Sequence, residues 1–356
     1  MSTTEQRLAD RLAVGMLTWT YPLEAVENAI TAAGRCGQRN RLLPPHLVVY
    51  FVLAMCMFPA ARYEEVAELL AEGIRLTAPA GLSTLRSVPS TAAVSRARMR
   101  LGATPLETLF AQVATVRSVT PGAPPERLED LRVRVLGGRV SALPESPENA
   151  AVYGAASPGG RPSGPRLRIS VLADNASGAL LGARLDPVYA GVGDVAGSLL
   201  GRVGPGDLVV ADADYGRPRL WRTAARTGAD LLWSVPDGVV LPPARPLSDG
   251  SALTLLPARP DPASGRAELA TVRVLNARPG GGKQLLTTLL DPRQAPAPAL
   301  RAVYADRWSF EAASQRLADR GKRELRSRSP EMVRQEIWGH LLVYSAIQRL
   351  SNDPRA

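Results

Sequence analysis

Two stretches of the sequence combine residue types that could do chemistry. Asp212 ends the apolar run Val-Val-Ala, which predicts a strand with the carboxylate at its carboxyl end, the edge where α/β sheets place their sites. Tyr304, Arg307 and Glu311 follow at spacings of three and four residues, so on a helix they would share one face. Together these stretches predict one catalytic site. The alternative for Arg307 and Glu311 is a helical salt bridge, which stabilises by only about 0.2–0.5 kcal/mol.

Arginines are concentrated in two further stretches that could bind phosphate. The first is a predicted helix behind a serine cap, with arginines at Arg96, Arg98 and Arg100. A short capped helix with arginines, placed after another helix, is how a helix-turn-helix presents its reading helix to DNA. The second stretch contains Arg326 and Arg328. For both stretches the alternative is a solvated surface.

The composition favours a polyanionic partner. The 356 residues have a formal net charge of +10, and counterion release makes phosphate binding a common use of such a surplus; a codon bias toward arginine is the alternative. Two cysteines and two histidines are too few and too scattered for a structural zinc site. No apolar run reaches the ~20 residues of a membrane span, and the N-terminus lacks a signal-peptide pattern. We therefore expect a cytoplasmic protein without membrane contact.

These residues must be positioned by elements of more than one type. Residues 1–118 have apolar positions at helical spacing, which predicts an N-terminal all-α domain of DNA-binding type. Apolar runs typical of strands then predict an α/β core with a mixed sheet, formed by residues 126–235 and 299–356. Residues 236–298 are rich in proline and glycine and predict an inserted all-β subdomain. The predicted fold class is therefore α+β multidomain.

Several motifs resemble, in chain order, those of the insertion-sequence-4 family of DDE transposases. The most specific are the spacing Tyr304-x2-Arg307-x3-Glu311 and the run from Arg326 to Glu336. Similar stretches in the N-terminal part are 41–44, 63–66 and 95–98. The resemblance covers nearly the whole chain and implies a ribonuclease-H-like core.

The resemblance also implies a mechanism. Two divalent metals, held by two aspartates and a glutamate, activate water or a 3′-hydroxyl for in-line attack on DNA phosphodiesters. In this sequence the second aspartate and the glutamate correspond to Asp212 and Glu311, beside Tyr304 and Arg307. Mg²⁺ or Mn²⁺ fits because all the ligands are hard oxygens. The implied partners are double-stranded DNA and a second copy of the chain, since transposases of this kind usually act as dimers.

The position of the first aspartate departs from the family pattern. The first core strand reads Val-Leu-Gly-Gly, and Gly137 stands where the aspartate is expected. A glycine supplies no ligand, so Asp212 and Glu311, aided by Asp174 or Asp214, could hold at most a single weak metal. We therefore predict a transposase-like DNA-binding protein, decayed or recruited by its host, whose catalysis is lost.

Two alternatives stay open. In the first, the chain is an active metal-dependent cut-and-paste transposase that uses Asp212, Glu311 and an unrecognised third carboxylate. In the second, the former active-site cleft binds a protein or a small molecule in place of DNA. The three hypotheses differ in whether DNA is bound and whether it is cut.

Overall fold

The computed structural model describes residues 3–35, 43–77, 88–114, 128–156, 162–191, 197–242, 245–260, 267–278, 281–307, 309, 312 and 325–351. The chain divides into two compact units. We call the first, Met1–Thr115 with Ala142–Arg166 and Ser314–Ala356, the helical unit, and the second, Val116–Ser141 with Leu167–Ala313, the sheet unit. The domain boundaries inferred from the sequence stay a prediction.

The main elements of the described residues are as follows. The helices are α1 (Thr3–Thr20), α2 (Leu23–Ala32), α3 (Pro45–Met57), α4 (Tyr63–Thr77), α5 (Thr91–Leu101), α6 (Thr104–Val113), α7 (Pro147–Tyr153), α8 (Pro218–Ala225), α9 (Ala297–Ala305) and α10 (Pro330–Ser351). The strands are β1 (Arg132–Ala142), β2 (Ala155–Ala156), β3 (Pro162–Ser163), β4 (Arg166–Asp174), β5 (Leu180–Pro187), β6 (Asp207–Ala211), β7 (Asp230–Ser234), β8 (Arg245–Pro246), β9 (Ala252–Pro260), β10 (Ala267–Arg278) and β11 (Gly281–Thr287). None of the described helices combines the length and the apolar character that crossing a membrane requires.

Helix α3 forms the centre of the helical unit. Every residue from Leu47 to Cys56 is buried, as expected for a helix that is apolar on all sides. Helix α10 packs against both α3 and α6. The last described segment of the chain is therefore part of the same core as the N-terminal helices.

Nine strands of the described residues form one mixed sheet in the sheet unit, in the order β5-β4-β1-β6-β7-β11-β10-β9-β8. Strand β6 pairs in parallel with β1 and with β7. All five of its residues are buried, as a central parallel strand covered on both faces requires. The strand therefore holds the residue that follows it, Asp212, at a rigid edge.

The strands of the predicted insertion continue this same sheet. Strand β11 pairs antiparallel with β7, with Leu286 opposite Trp233, and β10, β9 and β8 follow outward. The inserted all-β subdomain stays a prediction; its described strands, β8 to β11, widen the core sheet. The pairing of β11 with β7 joins segments that are far apart in the chain, and local composition does not encode it.

Candidate functional site

The candidate catalytic residues lie at one edge of the central parallel strands. Strand β1 pairs with β6 so that Leu136 lies opposite Ala211. The next residues along the two chains, Gly137 and Asp212, therefore lie side by side. Leu136 and Ala211 belong to one apolar cluster, so alternation along the strands turns positions 137 and 212 to the opposite face, where Tyr304 belongs to the second cluster.

The two adjacent glycines of β1 have different surroundings. A Cβ atom on Gly138 would lie 2.1 Å from the carbonyl oxygen of Ile169 and 2.8 Å from the Tyr215 hydroxyl, so close packing requires glycine there. A Cβ atom on Gly137 would first meet Val135 Cγ1, at 4.0 Å, which is an ordinary contact. The strand therefore has room for a Cβ atom at this buried position, and a close contact of that atom does not explain the glycine.

The Asp212 carboxylate is held by Tyr304 and Arg307. The Tyr304 hydroxyl donates to Asp212 Oδ1 at 3.0 Å, and Arg307 Nη2 donates to the same oxygen. The Arg307 guanidinium also lies 4.0 Å from the centre of the Tyr304 ring, a cation–π distance. Burial raises the pKa of the Tyr304 phenol above its ordinary value, so the hydroxyl stays a donor at neutral pH. The structure thus brings three predicted site residues together.

The signature of Tyr304, Arg307 and Glu311 does not continue along one helix as the spacing predicts. Helix α9 ends at Ala305, and Arg307 Nη1 donates to the Tyr304 carbonyl oxygen at 2.6 Å. The guanidinium thus satisfies an acceptor at the end of the helix, where a positive charge is favourable. Glu311 lies outside the described residues.

Asp174, a candidate substitute ligand, lies toward the wrong end of β1. The backbone N–H of Asn175 donates to the Val133 carbonyl oxygen, near the start of β1, whereas the candidate site lies toward the other end. The Asp174 carboxylate forms an ion pair with Arg134 and accepts hydrogen bonds from Ser177. Asp174 therefore stabilises the fold and does not serve the site.

The described carboxylates at this edge do not fit a two-metal centre. Asp212 brings one carboxylate, whose Oδ1 already accepts from Arg307. Asp214 is exposed in the turn that follows β6. Within the part of the chain that the structure describes, no three His, Cys, Asp or Glu residues group in a way that could hold a metal ion. The described residues form an ion pair between Asp212 and Arg307. Gly137, the neighbour of Asp212 on β1, contributes no side chain.

Comparison with known proteins assigns the chain to a family. Residues 155–346, more than half of the chain, match the transposase DDE domain family. The chain belongs to the DDE transposase family. Residues 11–111 match the N-terminal region of insertion element 4 transposases, so the chain is of the insertion-sequence-4 type. The DDE domain implies a ribonuclease-H-like fold and, in an active member, a chemistry that depends on Mg²⁺ or Mn²⁺.

The chain is similar to a curated transposase and, more distantly, to a solved structure. The transposase InsG for insertion sequence element IS4 from Escherichia coli (strain K12) is 24% identical over 336 residues, which span 91% of this chain and 74% of that protein. A cryo-EM structure of the piggyBac transposase synaptic complex with hairpin DNA matches with a TM-score of 0.47 and 10% identity, over 94% of this chain and 74% of that one. The similarity to InsG extends along most of this chain.

The three arginines of α5 have different environments in this transposase-family chain. Arg96 and Arg100 are exposed, whereas Arg98 is 0% exposed. The Arg98 guanidinium donates to three side chains: Gln335 Oε1 at 2.8 Å, the Tyr63 hydroxyl at 2.5 Å and Ser327 Oγ at 3.0 Å. The predicted contact of Arg98 with DNA is therefore corrected to a structural role, because position 98 lies on the inward face of the helix.

Arg326 and Arg328 also differ in their environments. Arg326 is half-buried, and its Nη1 donates to the Ala61 carbonyl oxygen at 2.8 Å. Arg328 is exposed, and its own carbonyl oxygen accepts from Ser146 Oγ at 2.6 Å. Among the predicted DNA-binding arginines, the exposed ones are therefore Arg96, Arg100 and Arg328.

Sequence reasoning missed the residues that hold Arg98. Gln335 and Glu336 lie in a motif that carries the family resemblance, and this was the available signal that they matter. Gln335 and Glu336 are 0% and 4% exposed, although polar residues of this length are mostly found at the surface. A polar residue in a recognised motif is therefore a candidate for a buried network as well as for a ligand contact.

Proposed function

We propose that this transposase-family protein binds double-stranded DNA through exposed arginines of its helical unit and does not cut it. The observation that supports the loss of cutting is the register of β1 and β6, in which Gly137 lies beside Asp212. A two-metal mechanism needs carboxylates that bridge and neutralise two cations. The edge instead has an aspartate whose charge is balanced by Arg307.

Binding to DNA does not require that carboxylate. Exposed arginines contact phosphates through their planar, always charged guanidinium groups, and Arg96, Arg100 and Arg328 are exposed. The net charge of +10 adds a long-range attraction to any duplex. DNA binding can therefore outlast catalysis, which fits either a decayed element or a protein recruited by its host.

Labelled duplexes that carry the terminal repeats flanking the gene test both halves of the proposal. The wild-type protein should shift these duplexes, and the logarithm of its binding constant should fall linearly with the logarithm of salt concentration. Incubation with Mn²⁺ should leave the strands intact. Robust nicking that Asp212→Ala abolishes would instead identify an active transposase with an unrecognised third carboxylate.

The substitution Gly137→Asp tests the ancestry of the site. Because a Cβ atom fits at position 137, the variant should fold, and Mn²⁺-dependent nicking by this variant alone would support the proposal. Absence of duplex binding by the wild-type protein would refute the DNA half and favour a role in which the cleft binds a protein or a small molecule.

A further inference from the structure

The buried Arg98 is the centre of a polar network that extends through the helical unit. Its guanidinium bonds to Ser327 Oγ at 3.0 Å, and Ser327 Oγ in turn donates to Glu336 Oε2 at 2.5 Å. The two oxygens of the Glu336 carboxylate also accept from the backbone N–H groups of Arg326 and Ser327, each at 3.1 Å. A buried cation and a buried anion are thus joined through one serine hydroxyl, so each offsets the cost of burying the other.

The same network also holds the carboxyl-terminal end of α5. Gln335 accepts from Arg98 Nε and donates through Nε2 to the carbonyl oxygens of Arg98 and Gly102 at 3.0 and 2.8 Å, which caps the last turn of α5. Gly102 has a φ of +71° and would place a Cβ atom 2.8 Å from Glu331, so α5 must end there. The orientation of α5 about its own axis is therefore set by buried polar bonds.

Exposed arginines flank this buried bond on both sides. Arg96 and Arg100 lie two residues before and after Arg98, and Arg328 directly follows Ser327. A second anchor, the bond from Ser146 Oγ to the Arg328 carbonyl oxygen, holds the far side of this segment. Duplex DNA carries one phosphate charge per about 1.7 Å of its axis, so arginines that emerge from two neighbouring backbone segments can reach different phosphates.

Of the acidic groups beside this surface, Glu145 and Glu148, on either side of Ser146, are exposed, whereas three others have partners. Glu331 Oε1 accepts from the Ala103 backbone N–H at 2.7 Å, and Glu107 pairs with Arg334 at 3.4 Å. Glu64 accepts from the Thr91 hydroxyl at the start of α5, remote from the last turn that carries Arg100. These three carboxylates have partners of their own, and the arginine side chains are not needed to neutralise them.

We propose that Arg98, Ser327 and Glu336 are positioning residues that join α5 and residues 325–329 into one phosphate-binding surface, with Arg96, Arg100 and Arg328 as its contacts. This inference rests on the proposed DNA binding. It differs from a purely structural role in a measurable way. Loosening the bond between Arg98 and Ser327 should remove the contribution of Arg328, whereas the bonds from Gln335 to the backbone of α5 should preserve the contacts from that helix.

A double-mutant cycle in the full-length protein measures this coupling, with the terminal-repeat duplex as the probe. Arg328→Ala and Arg98→Lys should each weaken binding about five- to tenfold and lower the salt slope by about one unit, the value of one phosphate contact. The double variant should bind no more weakly than either single variant, because both remove the same contact. Arg98→Lys combined with Arg96→Ala should instead show additive losses. If Arg98→Lys fails to fold, Ser327→Ala takes its place in the cycle.

Arg273→Lys is the matched control, because Arg273 is the other fully buried arginine of the described core and lies in the sheet unit. It should lower thermal stability to a similar degree and leave the salt slope unchanged. Additive effects of Arg98→Lys and Arg328→Ala, or an equal loss of slope in the control, would overturn the positioning role. Failure of the wild-type protein to bind any duplex would refute the proposed function itself, which is a different result.

Discussion

Arg98 in the helical unit and Arg307 in the sheet unit make different uses of the same side chain. Arg98 is 0% exposed and donates to three side chains from distant parts of the sequence. Arg307 has a side chain that is 24% exposed, and it pairs with Asp212, whose side chain is 51% exposed. The first arginine is held by three side-chain partners, whereas the second pairs with an exposed carboxylate at the end of a strand.

The difference teaches which parts of the family pattern the fold depends on. Removing one partner from a buried charged network leaves the others unpaired in a medium of low polarity, at a cost of several kcal/mol. Removing a carboxylate that lies beside Asp212 relieves the repulsion between two like charges and costs folding little. A chain can therefore keep the complete scaffold of a transposase while its acidic site loses a member.

The largest expected effect comes from Arg98→Met. The substitution keeps an unbranched side chain but leaves Glu336 buried without its cation, so the free energy of unfolding should fall by about 3–5 kcal/mol. Urea denaturation followed by circular dichroism measures it. Arg96→Met, on the exposed face of the same helix, is the control and should change stability by less than about 0.5 kcal/mol. Equal effects at the two positions would contradict the burial of Arg98.

Tyr63→Phe should have a smaller effect on the same network. It removes the hydroxyl that accepts from Arg98 Nη1 and keeps the ring, which packs edge-on against Phe51 at 5.6 Å between centroids. The expected loss is about 1–2 kcal/mol in the free energy of unfolding. In an Arg98→Met background the same change should cost much less, because its partner is already absent; a full second loss would show that the two groups act independently.

Asp212→Asn should cost less than about 1 kcal/mol, since exposed ion pairs contribute little. Thermal unfolding of this variant beside the wild-type protein checks it. Arg307→Gln should give a similar small loss, and the double variant should lose no more than about the same amount. A loss of 3 kcal/mol or more for Asp212→Asn would mean that the strand edge is as tightly integrated as the Arg98 network.

Gly137→Asp should lower stability by about 1 kcal/mol when no metal is added, because position 137 is buried and a carboxylate there loses hydration beside Asp212. A Cβ atom meets no close contact at this position, and Arg307 should offset part of the repulsion from Asp212. Mn²⁺ at ten times its dissociation constant should then stabilise this variant by about 1.4 kcal/mol and the wild-type protein much less. Differential scanning calorimetry with and without Mn²⁺ makes the comparison, and equal shifts for both proteins would contradict the loss of a metal ligand at this position.

The sequence predicts the strand-edge site around Asp212 better than it predicts the arginine surface of α5. The run Val-Val-Ala-Asp and the Tyr-x2-Arg motif are local patterns, and the structure places Asp212, Tyr304 and Arg307 in contact. The burial of Arg98 depends on Ser327 and Gln335, which are more than 200 positions away, so no local pattern reveals it.

The end of α9 and the extent of the sheet escaped the sequence for similar reasons. A spacing of three and four residues predicts one helical face, but the helix ends at Ala305 because Arg307 turns back onto its terminal carbonyl oxygen. The proline and glycine content of residues 236–298 indicates a change in secondary structure. The pairing of β11 with β7, however, depends on a strand that comes before residue 236. Composition indicates only the local preference for a strand. Which strand it pairs with depends on residues elsewhere in the chain.

The two adjacent glycines of β1 differ in the substitutions that the strand can accept. The Ile169 carbonyl oxygen closes position 138 to other residues, so a mutation there would be lost with the strand. Position 137 has room for a Cβ atom, and aspartate is one base change away from a glycine codon that ends in a pyrimidine. A lineage that carries this chain therefore keeps a short mutational route back to paired carboxylates, without any need to rebuild the scaffold around them.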